Sequence, residues 1–355
     1  MYLLRKRIDQ IVIIAIIITM TVCSCSREGK SVIEDNSHPV VNAQLKSVEF
    51  DDKIMMPTNL ILLEDSMLVV YEPKMKDGFL SVFNTNSSRL ISTFATIGES
   101  PEEFINPRIL NDLSTHDSFC VGDAQKIMRY NSSSFHTDDI KGSRILSVPQ
   151  EMKHYNNILT LSDSLIVYTQ TGEYPISLYD IPTEKLNFTG YFPSIEWTEG
   201  TPYIKNMEVF ANCMTSDGNN VAIAYHNWNT ISIVSPRGNV IKELFFPGWD
   251  FNKEKMNIEP TTGNLSLDPS CKVFFTQIRS NSKYIFALGW SDIKDSIKTG
   301  EASSYVYVID WEGNVLKKIT FDKSVSSFCI NDDTIPYVIA IGDDGELHVY
   351  ECSIS

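Results

Sequence analysis

The feature that most restricts this chain's fold is an event that recurs from Leu60 onward. A short apolar run is followed by a tight polar turn, a second run, a more variable connection, a third run, another polar turn and a fourth run. The first turn of each unit reads Glu64-Asp65-Ser66, His116-Asp117-Ser118, Ser162-Asp163-Ser164, Ser216-Asp217-Gly218-Asn219, Asn281-Ser282 and Asn331-Asp332-Asp333, at separations of 46 to 64 residues. The second turn recurs in residues 84–88, 131–134, 182–184, 236–239 and 311–314. Runs rich in β-branched and aromatic residues between such turns are strand signals. A four-stranded sheet of this size cannot bury both its faces alone, so six in succession must stack around an axis. The expected fold is all-β, a six-bladed β-propeller of four-stranded antiparallel blades.

The sixth unit supplies only three strands, in the region that ends with residues 337–341, the turn 342–345 and residues 347–352. Upstream of the first unit, residues 41–50 alternate well enough to form a strand with no local partner, and that strand is expected to close the last blade. A seventh blade in residues 247–272 is disfavoured by further prolines and few β-branched residues, so that segment reads as a loop. A lectin-like sandwich does not demand six recurrences of one turn pair.

Residues 92–110, STFATIGESPEEFINPRIL, join the first two units. Gly98 is expected to supply a positive φ, Phe104 to plug the gap between neighbouring sheets, and Pro107 to aim the next strand without needing a backbone donor. This stretch resembles the blade linker of TolB-like six-bladed β-propellers of bacterial lipoproteins. That pattern is an aromatic, Ile-Gly, a Gly or Ser followed by Pro, then Glu-Phe and a later Pro, and Gly98, Pro101, Glu103, Phe104 and Pro107 match it. By strand rhythm the resemblance covers residues 41–355, with its specific motif confined to 98–107. Asp123, between Cys120-Val121-Gly122 and Arg129-Tyr130, is similar to the acid of NHL-type blades and is expected to order its turn by accepting from backbone donors.

The N-terminus reads as an address. Arg5-Lys6-Arg7 precedes an unbroken apolar run over residues 11–18 that extends to about Val22, short of the ~20 residues that span a bilayer. Val22-Cys23-Ser24-Cys25 is similar to the lipobox of bacterial lipoproteins. Cys25, with Ser24 before it, fits the lipidated position better than Cys23, which follows the bulkier Val22. The expected organisation is a signal peptide over 1–24, a lipidated Cys25 with a flexible tether to residue 40, and a propeller over 41–355. The alternative is an uncleaved anchor of marginal length. Acyl chains hold a domain to the bilayer through roughly 0.8 kcal/mol per buried CH₂, so the membrane is the first expected partner, at the bacterial outer membrane on its periplasmic or outer face.

Composition narrows the partners further. With 43% hydrophobic and 11% aromatic residues the chain can fill one large all-β unit or two smaller domains. Its formal charge of -15, with scattered Lys and Arg, suits solubility and excludes nucleic acid, which needs clustered cations. Of the 7 cysteines, Cys120, Cys213, Cys271, Cys329 and Cys352 remain after processing. That is an odd number without Cys-x-x-Cys spacing, mostly in apolar strand contexts that suit buried, inert thiols.

Propeller connections between second and third strands, and between blades, emerge on one face. Trp197, Trp228, Trp249 and Trp290 map to those connections, whereas Trp311 lies at the opposite end. Tyr174, Tyr191 and Tyr203 join the four, and His226 lies among them, as His154 does in a second loop of that face. Exposed aromatics with Asn, Glu and Lys beside them suit a stacking platform for a glycan or peptide. Equally, such rings can pin long loops to the rim. No His-Glu-x-x-His, phosphate cradle or Gly-x-Ser-x-Gly occurs, and the 6 histidines are dispersed. The acidic doublets Asp138-Asp139, Asp332-Asp333 and Asp343-Asp344 lack calcium-loop spacing. The expectation is therefore a binding or scaffold protein for a glycan, a peptide or another envelope protein, with no cofactor and no catalytic residues. The alternative class is a propeller hydrolase or lyase using a central metal.

Overall fold

The computed structural model describes residues 29–354 apart from 35–36, 76–77, 113–116, 138–139, 153–154, 163, 171–175, 189–208, 259–264 and 291. Five four-stranded antiparallel blades follow one another along the chain. Blade 1 comprises Asn59–Leu63, Met67–Tyr71, Leu80–Asn84 and Arg89–Phe94; blade 2 comprises Arg108–Asp112, Ser118–Gly122, Lys126–Asn131 and Ser143–Ser147. Blade 3 comprises Tyr155–Ser162, Leu165–Gln170, Ser177–Asp180 and Lys185–Phe188; blade 4 comprises Asn212–Ser216, Val221–Tyr225, Thr230–Val234 and Val240–Phe245. Blade 5 comprises Phe275–Ser280, Tyr284–Trp290, Ser304–Asp310 and Val315–Phe321.

Blade 6 takes Val325–Phe328, Tyr337–Ile341 and Leu347–Ile354 from the end of the chain and its fourth strand, Val40–Ser47, from the beginning. Ala43 to Ser47 run antiparallel to Ile354 to Tyr350, while Val40 to Ala43 run parallel to Lys318 to Phe321 of blade 5. The closing strand thus binds two blades at once, and the free edge of blade 6 is covered.

Strand alternation explains the stacking. All of Val221–Tyr225 is buried, yet Val221, Ile223 and Tyr225 join the core shared with blade 3, whereas Ala222 and Ala224 join the core shared with blade 5. Met67, Val69 and Tyr71 likewise face blade 2, while Leu68 and Val70 face blade 6. A period of two sends successive side chains to opposite faces, and each face meets a neighbour. One apolar cluster fills each of the six blade interfaces. The tight first turn of blade 1 fits as well: Leu63 pairs with Met67 across the three residues Glu64, Asp65 and Ser66, and Glu64 and Asp65 take left-handed φ of 49° and 53°.

The junction of blades 1 and 2 shows how its linker works. Phe104 is fully buried between the two sheets, as expected, and Lys126 Nζ lies 4.9 Å from its ring centroid. The same ammonium donates to the carbonyls of Pro101, at 2.5 Å, and Glu103. Asp123 accepts from the backbone N–H groups of Gln125, Lys126 and Ile105 at 2.8, 3.0 and 3.1 Å, so its turn-ordering role extends back to the linker. Tyr71 donates its hydroxyl to the Pro107 carbonyl at 2.5 Å. Gly98, however, does not have a positive φ. Its missing Cβ leaves room for the Glu103 carboxylate, which accepts from Ser100 N–H at 2.9 Å.

Two loop expectations change. Residues 247–272 are not a blade, but they contain the 3₁₀ turn Lys253–Lys255 and a hairpin of Met256–Ile258 with Leu265–Leu267. The stretch expected to be a flexible tether includes Lys30–Val32, a fifth strand parallel to the outer strand of blade 4. Cys25 lies outside the described residues. No helix among the described residues is long and apolar enough to cross a membrane.

Candidate functional site

First strands of neighbouring blades touch one another, so they line the axis, and polar side chains bridge them. Arg279 of blade 5 donates from Nε to the Phe328 carbonyl of blade 6 at 3.0 Å. From Nη2 it donates to Asn59 Oδ1 at 2.5 Å and to the Leu60 carbonyl of blade 1 at 2.9 Å. Gln277 accepts from Phe328 N–H at 2.9 Å and donates to Asn59 Oδ1 at 3.3 Å. Asn157 of blade 3 donates to the Asn212 carbonyl of blade 4 at 2.5 Å, and the Thr215 and Ser280 hydroxyls of blades 4 and 5 lie 2.8 Å apart. Burial pulls the Arg279 pKa down to about 10, still far above neutrality, so the axis holds a positive charge. Bridged by protein groups and carrying a cation, this position suits a divalent metal poorly.

The loop face is built up over blades 4 and 5. Asn252 is completely buried and ties the insertion down: its Nδ2 donates to the carbonyls of Asn227 and Lys272 at 3.0 and 2.7 Å, and its Oδ1 accepts from Lys272 N–H at 2.8 Å. Asn229 Nδ2 donates to the Pro247 carbonyl at 2.9 Å. This knot presents the turn that runs from Gly248 to Phe251, closed by Phe251 N–H donating to the Gly248 carbonyl at 3.0 Å with Gly248 at φ 66°. Trp249 is half-buried, edge-on to Phe245 at 5.0 Å. Phe251 is 39% exposed, with Lys255 Nζ 3.7 Å and Lys272 Nζ 4.7 Å from its ring centroid. The turn therefore offers an aromatic surface beside two cations.

Two of the expected platform residues are corrected. Trp228 is completely buried, where its Nε1 donates to the Val209 carbonyl at 2.9 Å and its ring stacks on Phe210 at 6.2 Å. Trp290 is 2% exposed, ends the second strand of blade 5, and donates to Thr276 Oγ1 at 3.0 Å. Both indoles satisfy their one donor inside the fold, which makes them anchors of the loops and not a platform. Trp197, Tyr174, Tyr191, Tyr203 and His154 lie outside the described residues.

His226 has Nε2 enclosed without a hydrogen-bond partner, and burial pulls its pKa down to about 4. A ring that stays neutral through physiological pH is a weak proton acceptor there, so His226 is a poor general base. Among the described residues no group of three or more His, Cys, Asp or Glu is placed to hold a metal. The five cysteines among the described residues are free thiols, four buried and Cys213 half-buried. Desolvation pushes Cys329 and Cys352 up to about 12 and Cys213 higher still, as inert thiols require. Phe251 escaped the sequence reading because a lone Phe in a polar insertion gives no periodic signal.

Fold and site together define a six-bladed β-propeller with polar bridges around its axis and a loop face built up over blades 4 and 5. The chain belongs to the TolB-like 6-blade propeller-like family, whose model matches residues 39–333. Among solved structures it is similar to a member of the DUF4221 family from Bacteroides vulgatus, at 9% identity and a TM-score of 0.54 over 88% of this chain and 98% of that one. A protein from Bacteroides fragilis predicted to be exported is similar at 12% identity, TM-score 0.54, over 92% and 99%. At these identities the likeness is one of fold. None of the curated proteins matches the sequence.

Proposed function

We propose that this protein is a lipid-anchored propeller of the bacterial envelope that works by binding, and that the turn bearing Trp249 and Phe251 contacts a glycan or extended peptide carrying carboxylates. The observation that carries this reading is the exposed Phe251 ring flanked by Lys255 and Lys272 on a turn fixed by buried Asn252. Ring stacking with adjacent ammonium groups suits a flat sugar or peptide face bearing acids. The Arg279 bridge between blades 5, 6 and 1, which sets a cation at the axis, favours binding over central-metal chemistry. A basic n-region, an apolar run and the lipobox-like Val22-Cys23-Ser24-Cys25 support the envelope address, and so does a structural relative predicted to be exported.

Two measurements test it. Cys25→Ser is expected to abolish metabolic labelling with a fatty acid and to release an unprocessed or soluble form; label persisting on the variant would move the anchor to Cys23 or remove it. Titration with acidic polysaccharide and acidic peptide is expected to perturb tryptophan fluorescence through Trp249. Phe251→Ala should weaken that response by about 1 kcal/mol, several-fold in affinity, with unchanged melting. Unaltered affinity in the variant would place the binding surface elsewhere.

A further inference from the structure

The five residues from Gly29 to Ile33 are held along the outer strand of blade 4 with little freedom. Lys30, Ser31 and Val32 pair in parallel with Glu243, Leu244 and Phe245. Glu243 N–H donates to the Gly29 carbonyl and Ile33 N–H to the Phe245 carbonyl, both at 2.9 Å. Ile33 packs against the apolar core between blades 4 and 5. Gly29 lies so close to the neighbouring backbone that a Cβ there would stand 2.5 Å from the Ile241 carbonyl oxygen. The glycine that reads as a flexible-linker residue is thus needed for close approach.

Direction follows from the pairing. The fourth strand of blade 4 leaves the turn at residues 236–239 and runs toward the loop face, and the added strand is parallel to it, so the chain enters at the turn end. Cys25 precedes Gly29 by four residues, a reach of at most about 14 Å. A free linker over residues 26–37 would instead let the domain tumble well clear of its anchor.

The rim at that end has matching chemistry. Val240 and Ile241 are 38% and 41% exposed, and Leu316 of blade 5 is 38% exposed. Lys30 and Arg237 are exposed and Lys242 half-exposed beside them, with Glu312 the exposed acid of the adjoining turn. Gly313 of that turn abuts the Lys242 side chain, which places the two blade ends together. On a chain of formal charge -15, an apolar edge with three cations suits an anionic lipid surface.

We propose that the propeller rests on the bilayer by this edge of blades 4 and 5, at the end bearing the turn 236–239, and presents its loop face, with Trp249 and Phe251, away from the lipid. The orientation rests on the lipidation of Cys25 proposed above. It makes the anchor and the ligand-facing turn opposite ends of one rigid body, so a partner reaches the loop face without competing with headgroups.

The test uses the full-length lipidated protein in phosphatidylethanolamine–phosphatidylglycerol vesicles containing a headgroup quencher. A fluorophore is attached through Asn239→Cys at the turn end or Asp250→Cys on the loop face, the native thiols being buried or shifted far from reactivity. Quenching is expected to be several-fold stronger at Asn239→Cys. Gly29→Val, which forces the strand off Ile241, should abolish that difference while leaving fatty-acid label on Cys25. Inserting a long Gly-Ser segment after Ser26 should narrow the difference without touching any packed residue, because it lengthens the reach from the anchor and leaves the edge intact. Equal quenching at both positions in labelled wild-type protein, or stronger quenching at Asp250→Cys, overturns the orientation alone. Absence of fatty-acid label overturns the anchor first and the orientation with it.

Discussion

A chain shortened through Phe50 is expected to lose cooperative folding, whereas one shortened only through Ser37 should melt slightly below the full chain. The longer deletion removes Val40–Ser47, and with it both the antiparallel ladder to Ile354–Tyr350 and the parallel ladder to Lys318–Phe321. It also removes buried Ala43 from the core between blades 5 and 6, and Phe50, whose ring sits 4.5 Å from that of Phe83. Half-buried Phe50 contributes about 1–2 kcal/mol, and together with Ala43 and both ladders its loss takes a large part of the roughly 5–15 kcal/mol that holds a domain folded. The edge of Leu347–Ile354 would then stand open as a template for association. The shorter deletion removes only Lys30–Val32 and the contact of Ile33, about 1–3 kcal/mol of apolar burial. Thermal and urea melts of the two truncations should separate clearly. Coincident transitions would show that the ring does not depend on its closing strand.

Ring closure was legible because the needed strand alternates and has no local partner, while the last unit is one strand short. Blade number was legible because polar turns recur at fixed places between apolar runs, and Val221–Tyr225 shows why: a strand buried on both faces must be apolar throughout. Lys30–Val32 carries no such mark. Three residues, two of them polar, pair through backbone groups alone, and only the crowding at Gly29 betrays the contact. The axial bridge was equally hidden, since Arg279 and Asn59 are 220 residues apart and meet only once the ring is complete. For the tryptophans, sequence position assigns a face to each loop but does not say which way an indole turns. Trp290 lies within a strand that runs farther than its pattern suggests, and Trp228 folds back beneath its own loop.

Trp228→Ala is expected to destabilise the protein by about 3–5 kcal/mol, the range for emptying a packed aromatic site. The ring is completely enclosed and stacks on Phe210, within the core that also holds Tyr225, Phe245 and Met256. Its Nε1 also supplies the Val209 carbonyl with a donor, and leaving a buried acceptor underserved adds about 1–3 kcal/mol where no water can enter. Trp228→Phe separates the two effects, since it keeps most of the stacked area and loses only the donor, so its melting point should fall between those of wild type and the alanine variant. Trp249→Ala removes a half-buried ring that rests edge-on against Phe245, and should cost far less stability while abolishing the fluorescence response to an acidic glycan or peptide. Chemical denaturation followed by circular dichroism reads the folding cost of each variant, and titration of the folded fraction reads its binding. If Trp228→Ala instead keeps its midpoint and loses ligand affinity, the indole belongs to the binding surface, and the contact face of blade 4 is centred on residues 226–229 instead of the turn that bears Phe251.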